Sequence, residues 1–124
     1  MSGSPDTRGT GQIAASISNE VVQVLHAQTG RGPTFAKTTI SGDLVVCLLA
    51  DTLTVGERTL VESGHAQSVL DTRRLYQMAM RKNLTRAVET HTGRRVIAFM
   101  SDNHIDPDTA IEAFVLEPLR VTAR

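Results

Sequence analysis

The chain predicts an α+β fold, an antiparallel sheet of two β-hairpins with helices packed on one face. Three observations carry that expectation. Apolar residues recur at three-and-four spacing over two long stretches, the mark of amphipathic helices. Both stretches end in the tripeptide Thr-Gly-Arg, at Thr29-Gly30-Arg31 and Thr92-Gly93-Arg94. Each tripeptide is followed by two short runs of strand-forming residues. The resulting order is αββααββ, and the repeated tripeptide raises the prospect of an internal duplication. The plain alternative is that glycine is a common helix stop and the match arose by chance.

The first helix is expected over residues 12–28, where Ile13, Ile17, Val21, Val24 and Leu25 form one stripe. Gly30 sits where a helix commonly closes in a left-handed residue, and Pro33 forbids continuation. Phe35–Ile40 and Leu44–Ala50 then read as strands, joined by a Gly-containing connection at Ser41-Gly42-Asp43. The second strand is apolar on both faces and is expected to be central or covered on both sides.

Thr54 and Glu57 have capping-box spacing, which predicts a short helix to about Glu62. The longest helical pattern runs from Ala66 to His91, with Val69, Tyr76, Met80, Leu84 and Val88 on one stripe. Some 25 residues at 1.5 Å each give about 38 Å, long for so small a domain. That length, together with the apolar strand Leu44–Leu49, predicts a homodimer. The second hairpin is expected over Val96–Ser101 and Ala110–Leu116, around a turn-rich loop at Asp102–Asp108. One domain is expected over residues 12–118, between a disordered tail at 1–11 and a short tail at 119–124.

Composition narrows the function. Thirteen acidic and thirteen basic residues balance, which argues against affinity built mainly on phosphate neutralisation. The single cysteine, Cys47, lies inside an apolar strand and cannot form an internal disulfide. The first residues do not resemble a secretory signal, and no apolar run approaches the ~20 residues of a spanning helix. A cytoplasmic protein without a membrane span is expected.

Three clusters are candidates for chemistry. The sharpest is Asp102–Asp108, where Asp102, Asn103, His104, Asp106 and Asp108 crowd into seven positions. Oxygen-rich loops hold hard cations, and histidine with carboxylates holds transition metals. Pro107 occupies the place of the sharp-turn glycine in a calcium loop, so that specific pattern fails. The bland alternative is a hairpin loop whose Asp and Asn side chains cap their own backbone. A ligand or partner contact is expected there, and the identity of any metal stays open.

Arg31 and Arg94, at equivalent helix–strand junctions, suit carboxylate, phosphate or bicarbonate-like anions. They also suit the plainer role of complementing a helix dipole. A basic run on the long helix, Arg73, Arg74, Arg81, Lys82 and Arg86, is better read as a solvated face than as a nucleic-acid groove. There is no Trp and there are few aromatics to stack on bases. No glycine-rich phosphate loop or nucleophile elbow is present, so no cofactor is expected and an enzyme is disfavoured.

The segments Thr29–Thr34, Asp43–Val46, Leu53-Thr54 with Glu57 and Leu60, Thr92–Arg94, Ala98-Phe99, Ser101–His104, Asp106–Asp108 and Phe114–Pro118 stand in a specific order. Together they resemble a bacterial family long catalogued as a domain of unknown function and labelled MpsC-like, after a membrane-potential-generating, sodium-translocating system. The resemblance covers roughly Gln12 to Pro118. It implies a soluble accessory or regulatory subunit whose partner moves sodium or inorganic carbon across a membrane. It brings no catalytic residues with it. The alternatives are a small-ligand, anion or metal site at Asp102–Asp108 and, more weakly, nucleic-acid binding through the long basic helix.

Overall fold

A computed structural model describes residues 9–119. The expected tails therefore lie mostly outside the described residues. The elements are α1 (Thr10–Thr29), β1 (Phe35–Ser41), β2 (Leu44–Ala50), α2 (Val55–Glu62), α3 (Ala66–Thr92), β3 (Val96–His104) and β4 (Thr109–Leu116). The αββααββ order holds. Helix α1 begins two residues before the expected start.

The strands form one antiparallel sheet in the order β1-β2-β4-β3. Helix α1 packs on β1, α3 packs on β3, and the two helices pack on each other. Their apolar stripes close over one face of the sheet. Ile17 and Val21 from α1 and Met80, Leu84 and Val88 from α3 meet Val45, Cys47 and Leu49 of β2 and Phe114 and Leu116 of β4. Phe99 of β3 stacks obliquely on Phe114, with ring centres 5.1 Å apart. Because strand side chains alternate, the same strands turn Leu44, Leu48, Ile111 and Met100 to the opposite face, where they are exposed. Strand β2 is central, as its composition predicts, but helices cover it on one side only.

The two αββ units repeat in detail. Gly30 (φ 77°) and Gly93 (φ 67°) both close their helices in the left-handed region, where glycine avoids the Cβ clash. The Thr29 hydroxyl donates to Leu25 O and its oxygen accepts from Arg31 N–H. Thr92 makes the same pair of bonds with Val88 O and Arg94 N–H. Asp51 N–H donates to Asp108 O, and its counterpart Leu116 N–H donates to Asp43 O. The sheet order places β2 beside β4 at the centre, which gives the domain an approximate two-fold arrangement about the Cys47–Glu112 pair.

Two local expectations are corrected. Strand β3 continues through His104, so Asp102, Asn103 and His104 belong to a strand and only residues 105–108 form the turn. Pairing of His104 with Thr109 extends the ladder past the expected end. On α3, Tyr76 is exposed and Gln77 is buried in its place. Arg73 also reaches inward, and residues four apart share a helix face, so Arg73 and Gln77 face the sheet while Tyr76 turns outward.

Candidate functional site

At the end of the sheet where β2 and β3 finish, the polar side chains converge on Arg73. Its Nε and Nη2 donate to both oxygens of Glu57, at 2.9 and 2.8 Å. Nη1 donates to Thr52 Oγ1 and Asn103 Oδ1, and Nη2 also donates to Thr52 O. The planar guanidinium thus uses its whole donor fork to join α3, α2, β3 and the segment after β2. Glu57 is also the third residue of the α2 capping box: its Oε1 accepts from Thr54 N–H, while Thr54 Oγ1 accepts from Glu57 N–H. Burial pulls the Glu57 pKa up, but the hydrogen bonds from Arg73 and Thr54 outweigh it and hold the group below its ordinary value.

A second knot adjoins the first. Asp51 adopts a left-handed backbone (φ 57°), which Asp tolerates better than most residues. Its carboxylate accepts from Thr34 Oγ1, Arg31 Nη2 and Arg58 Nη2. Thr34 and Arg31 hold its pKa below the usual range. Asp108 reaches across from the β3–β4 turn and accepts from the N–H groups of Thr52 and Leu53 and from the Thr52 hydroxyl. The turn after β3 is thereby fastened to the chain that leads into α2.

Beneath these knots lies a cavity of about 50 Å³, lined in part by Arg31, Thr52, Glu57, Arg73, Gln77 and Glu112. At roughly 10–15 Å³ per water, that is room for a few waters or one small solute. Glu112 is the unusual group. It is only 2% exposed, and its Oε1 has no hydrogen-bond partner. Burial pushes its pKa up to about 7, against Ser101 and Arg73, which favour the charged form. Glu112 sits in a row across the covered face of the sheet, Thr38–Cys47–Glu112–Ser101, defined by strand register. Thr38 in turn shares a hydrogen bond with Ser18 of α1 at 2.7 Å. Burial also raises the Cys47 thiol, with the neighbouring Glu112 adding to the effect, so Cys47 is a poor nucleophile. Glu112 is thus a buried carboxyl that its surroundings drive toward the neutral form.

The residues expected from sequence are divided by this geometry. Asn103 points inward to Arg73, and Asp108 points inward to Thr52 and Leu53. Arg31 joins the same end through Asp51. Asp102 and His104, on alternate positions of β3, share the open face of the sheet; Asp106 is exposed at the turn. The His104 ring bonds to Pro107 O. Arg94 stands apart: it binds Asp43, Gly42 O and Glu117 O beyond the far end of β2. Asp43 and Asp51 bracket β2, eight steps apart at about 3.3 Å each, so Arg31 and Arg94 anchor opposite ends some 26 Å apart. Among the described residues, no group of three or more His, Cys, Asp and Glu side chains is arranged to hold a metal.

Sequence reasoning passed over Arg73, Asp51 and Glu112. Arg73 belongs by sequence to the solvated basic run of α3, yet its side chain is largely buried. The available signal for Glu112 was a lone carboxylate at an inward position of the otherwise apolar strand Ala110–Leu116.

The architecture is that of a small α+β domain with an internal two-fold arrangement and one polar, cavity-bearing end. Over residues 9–118 the chain matches the family described as the Na+-translocating membrane potential-generating system (MpsC). It belongs to that family. No curated protein and no solved structure matches it. Among the described residues, no helix is long and apolar enough to cross a membrane.

Proposed function

We propose that this chain is a cytoplasmic, non-enzymatic binding and regulatory subunit of a sodium-translocating, membrane-potential-generating system, and that it works as a homodimer. Family membership carries the reading, and no helix among the described residues is long and apolar enough to cross a membrane. On this reading the chain contributes contact with a partner that conducts, since the described residues hold no helix that could cross a membrane. The cavity-bearing end is the proposed contact region, with Arg31, Asp102, Asn103, His104, Asp106 and Asp108 around it and Arg94 bracing the far end. The strongly bonded residues there, Asn103 and Asp108, give a rigid base for the exposed Asp102, His104 and Asp106.

The test is membrane potential, read with a voltage-sensitive dye in cells that lack the chain and in cells complemented with it. The expected result is a lowered potential without the chain, restored by the wild type and not by a combined His104→Ala, Asp106→Ala variant of unchanged stability and unchanged sedimentation. Full restoration by that variant would remove the proposed contact region. An unchanged potential on deletion would remove the function.

A second reading is favoured by one observation: Glu112, which lines the cavity with Arg73, has a buried oxygen without a hydrogen-bond partner. It is a small-ligand or anion site, moved from the surface turn into the cavity. A ligand that binds only the folded state raises its unfolding temperature. A thermal-shift series with bicarbonate, phosphate and monovalent and divalent cations tests it. No shift with any of them at saturating concentration would end that reading.

A further inference from the structure

Among the described residues, the face of the sheet away from the helices bears two side chains of fixed charge, of opposite sign and at opposite edges of one row. Strand register defines that row as Lys37–Leu48–Ile111–Asp102. Around it Thr39, Thr109 and His104 are polar, but the exposed apolar side chains form a band: Leu48 is 43% exposed, Leu44 42%, Ile111 39% and Met100 54%. A contiguous apolar patch of this kind marks an interaction surface. Four strands about 4.8 Å apart and seven residues long give a footprint of about 19 by 23 Å. That flat footprint, about 440 Å², is roughly half the ~800 Å² each partner contributes to a standard interface, which suits a concentration-dependent dimer.

We infer that this face binds the same face of a second copy, the two sheets stacked with a two-fold axis parallel to the strands. Turning a copy over about that axis exchanges its left and right edges. Lys37 then lies against the second copy's Asp102, and Asp102 against its Lys37, while Leu48 and Ile111 meet in the middle. An axis across the strands would instead set Lys37 on Lys37, so the charges choose the orientation. Sheets packed this way lie about 10 Å apart with strands near 30° to one another. The inference rests on the dimeric reading above and names the surface and the geometry.

Sedimentation velocity over a concentration series tests the occupant, with twice the 13.4 kDa chain mass expected. A monomer at every concentration overturns the proposal while leaving the membrane-potential assay free to support a regulatory role. Leu48→Lys, which stays solvated in the monomer, is expected to weaken dimerisation at least ~tenfold by burying an unpaired charge. A dimer of unchanged affinity overturns the choice of face.

Zero-length carbodiimide cross-linking of the unaltered protein tests the geometry without any variant. Lys37 and Asp102 of one chain stand three strand spacings apart, about 14 Å, too far for a direct link. A Lys37–Asp102 cross-link that joins light and heavy isotope-labelled copies is the expected product. Its absence from a cross-linked dimer rejects the arrangement. Lys37→Asp and Asp102→Lys should each weaken the dimer, and the two together should restore it, because the exchanged charges again face each other. Failure of the double variant to recover overturns the predicted pairing.

Discussion

Glu112→Gln should uncouple folding stability from pH across neutrality. The folded-state pKa of Glu112 is about 7, raised from an ordinary 4.5 by burial. Between those values the folded chain holds the proton and the unfolded chain releases it. Stability is therefore greatest below about pH 4.5 as far as this group is concerned, falls as pH rises, and levels off above about 7. The difference of two and a half units corresponds to about 3 kcal/mol at 1.36 kcal/mol per unit. Glutamine has the same shape and no proton to lose, so the variant lacks this term. Urea unfolding followed by circular dichroism, at about pH 5 and about pH 8, gives the stability of both proteins. The variant should gain about 2–3 kcal/mol relative to the wild type on going to the higher pH, slightly less than the full value because pH 5 already lies above the unfolded pKa. The comparison is clean because Asp51 and Glu57, whose pKa values are lowered, lose their stabilising effect only at more acid pH. A constant difference between the two proteins across that range would refute the reasoning, showing that Glu112 is hydrated or paired in solution.

Other perturbations read the same architecture. Arg73→Ala leaves Glu57 without its partner in a partly buried site and should cost about 3 kcal/mol or more; a urea-unfolding loss under about 1 kcal/mol would show that the clamp is dispensable. Arg73→Lys should recover only part of that loss, since a single ammonium cannot reproduce the two-pronged contact with Glu57. Asp108→Ala removes a charged acceptor from two backbone N–H groups and should cost about 2–3 kcal/mol, with faster amide exchange at Thr52 and Leu53; unchanged exchange there would reject the fastening role. Gly93→Ala should cost about 1–2 kcal/mol from its positive φ alone, because an added Cβ meets nothing within 4 Å. Gly30→Ala should match it, and a marked inequality measured by thermal unfolding would count against the equivalence of the two turns.

Much of the fold is legible in the sequence because it is written in local terms. The two left-handed glycines, the Thr54–Glu57 capping box and the alternation in β2 each act within a few residues, where propensity and periodicity are informative. The site is less legible. The crowding of Asp102, Asn103, His104, Asp106 and Asp108 suggested one loop and one role. Extension of β3 through His104 sends Asn103 to the clamp and Asp102 and His104 to the open face, and a period of two leaves no choice in the matter. Arg31 and Arg94 are alike in sequence, and they are alike in their local bonds, yet the two-fold arrangement puts them at opposite ends. Arg73 looked like one more surface cation because its partners lie 16 to 30 residues away in the chain.

The sequence by itself determined which segments become helices and strands, where the helices stop, and that two similar αββ units follow one another. Those outcomes depend on backbone geometry and on the spacing of apolar side chains. Only the tertiary structure decided that the units meet through β2 and β4. That pairing places Cys47 beside Glu112, buries that carboxylate at the wall of a small cavity, and leaves one largely apolar sheet face uncovered by the other described elements. Burial, charge coupling and the absence of a covering layer are properties of elements brought together from distant parts of the chain, and no local pattern encodes them.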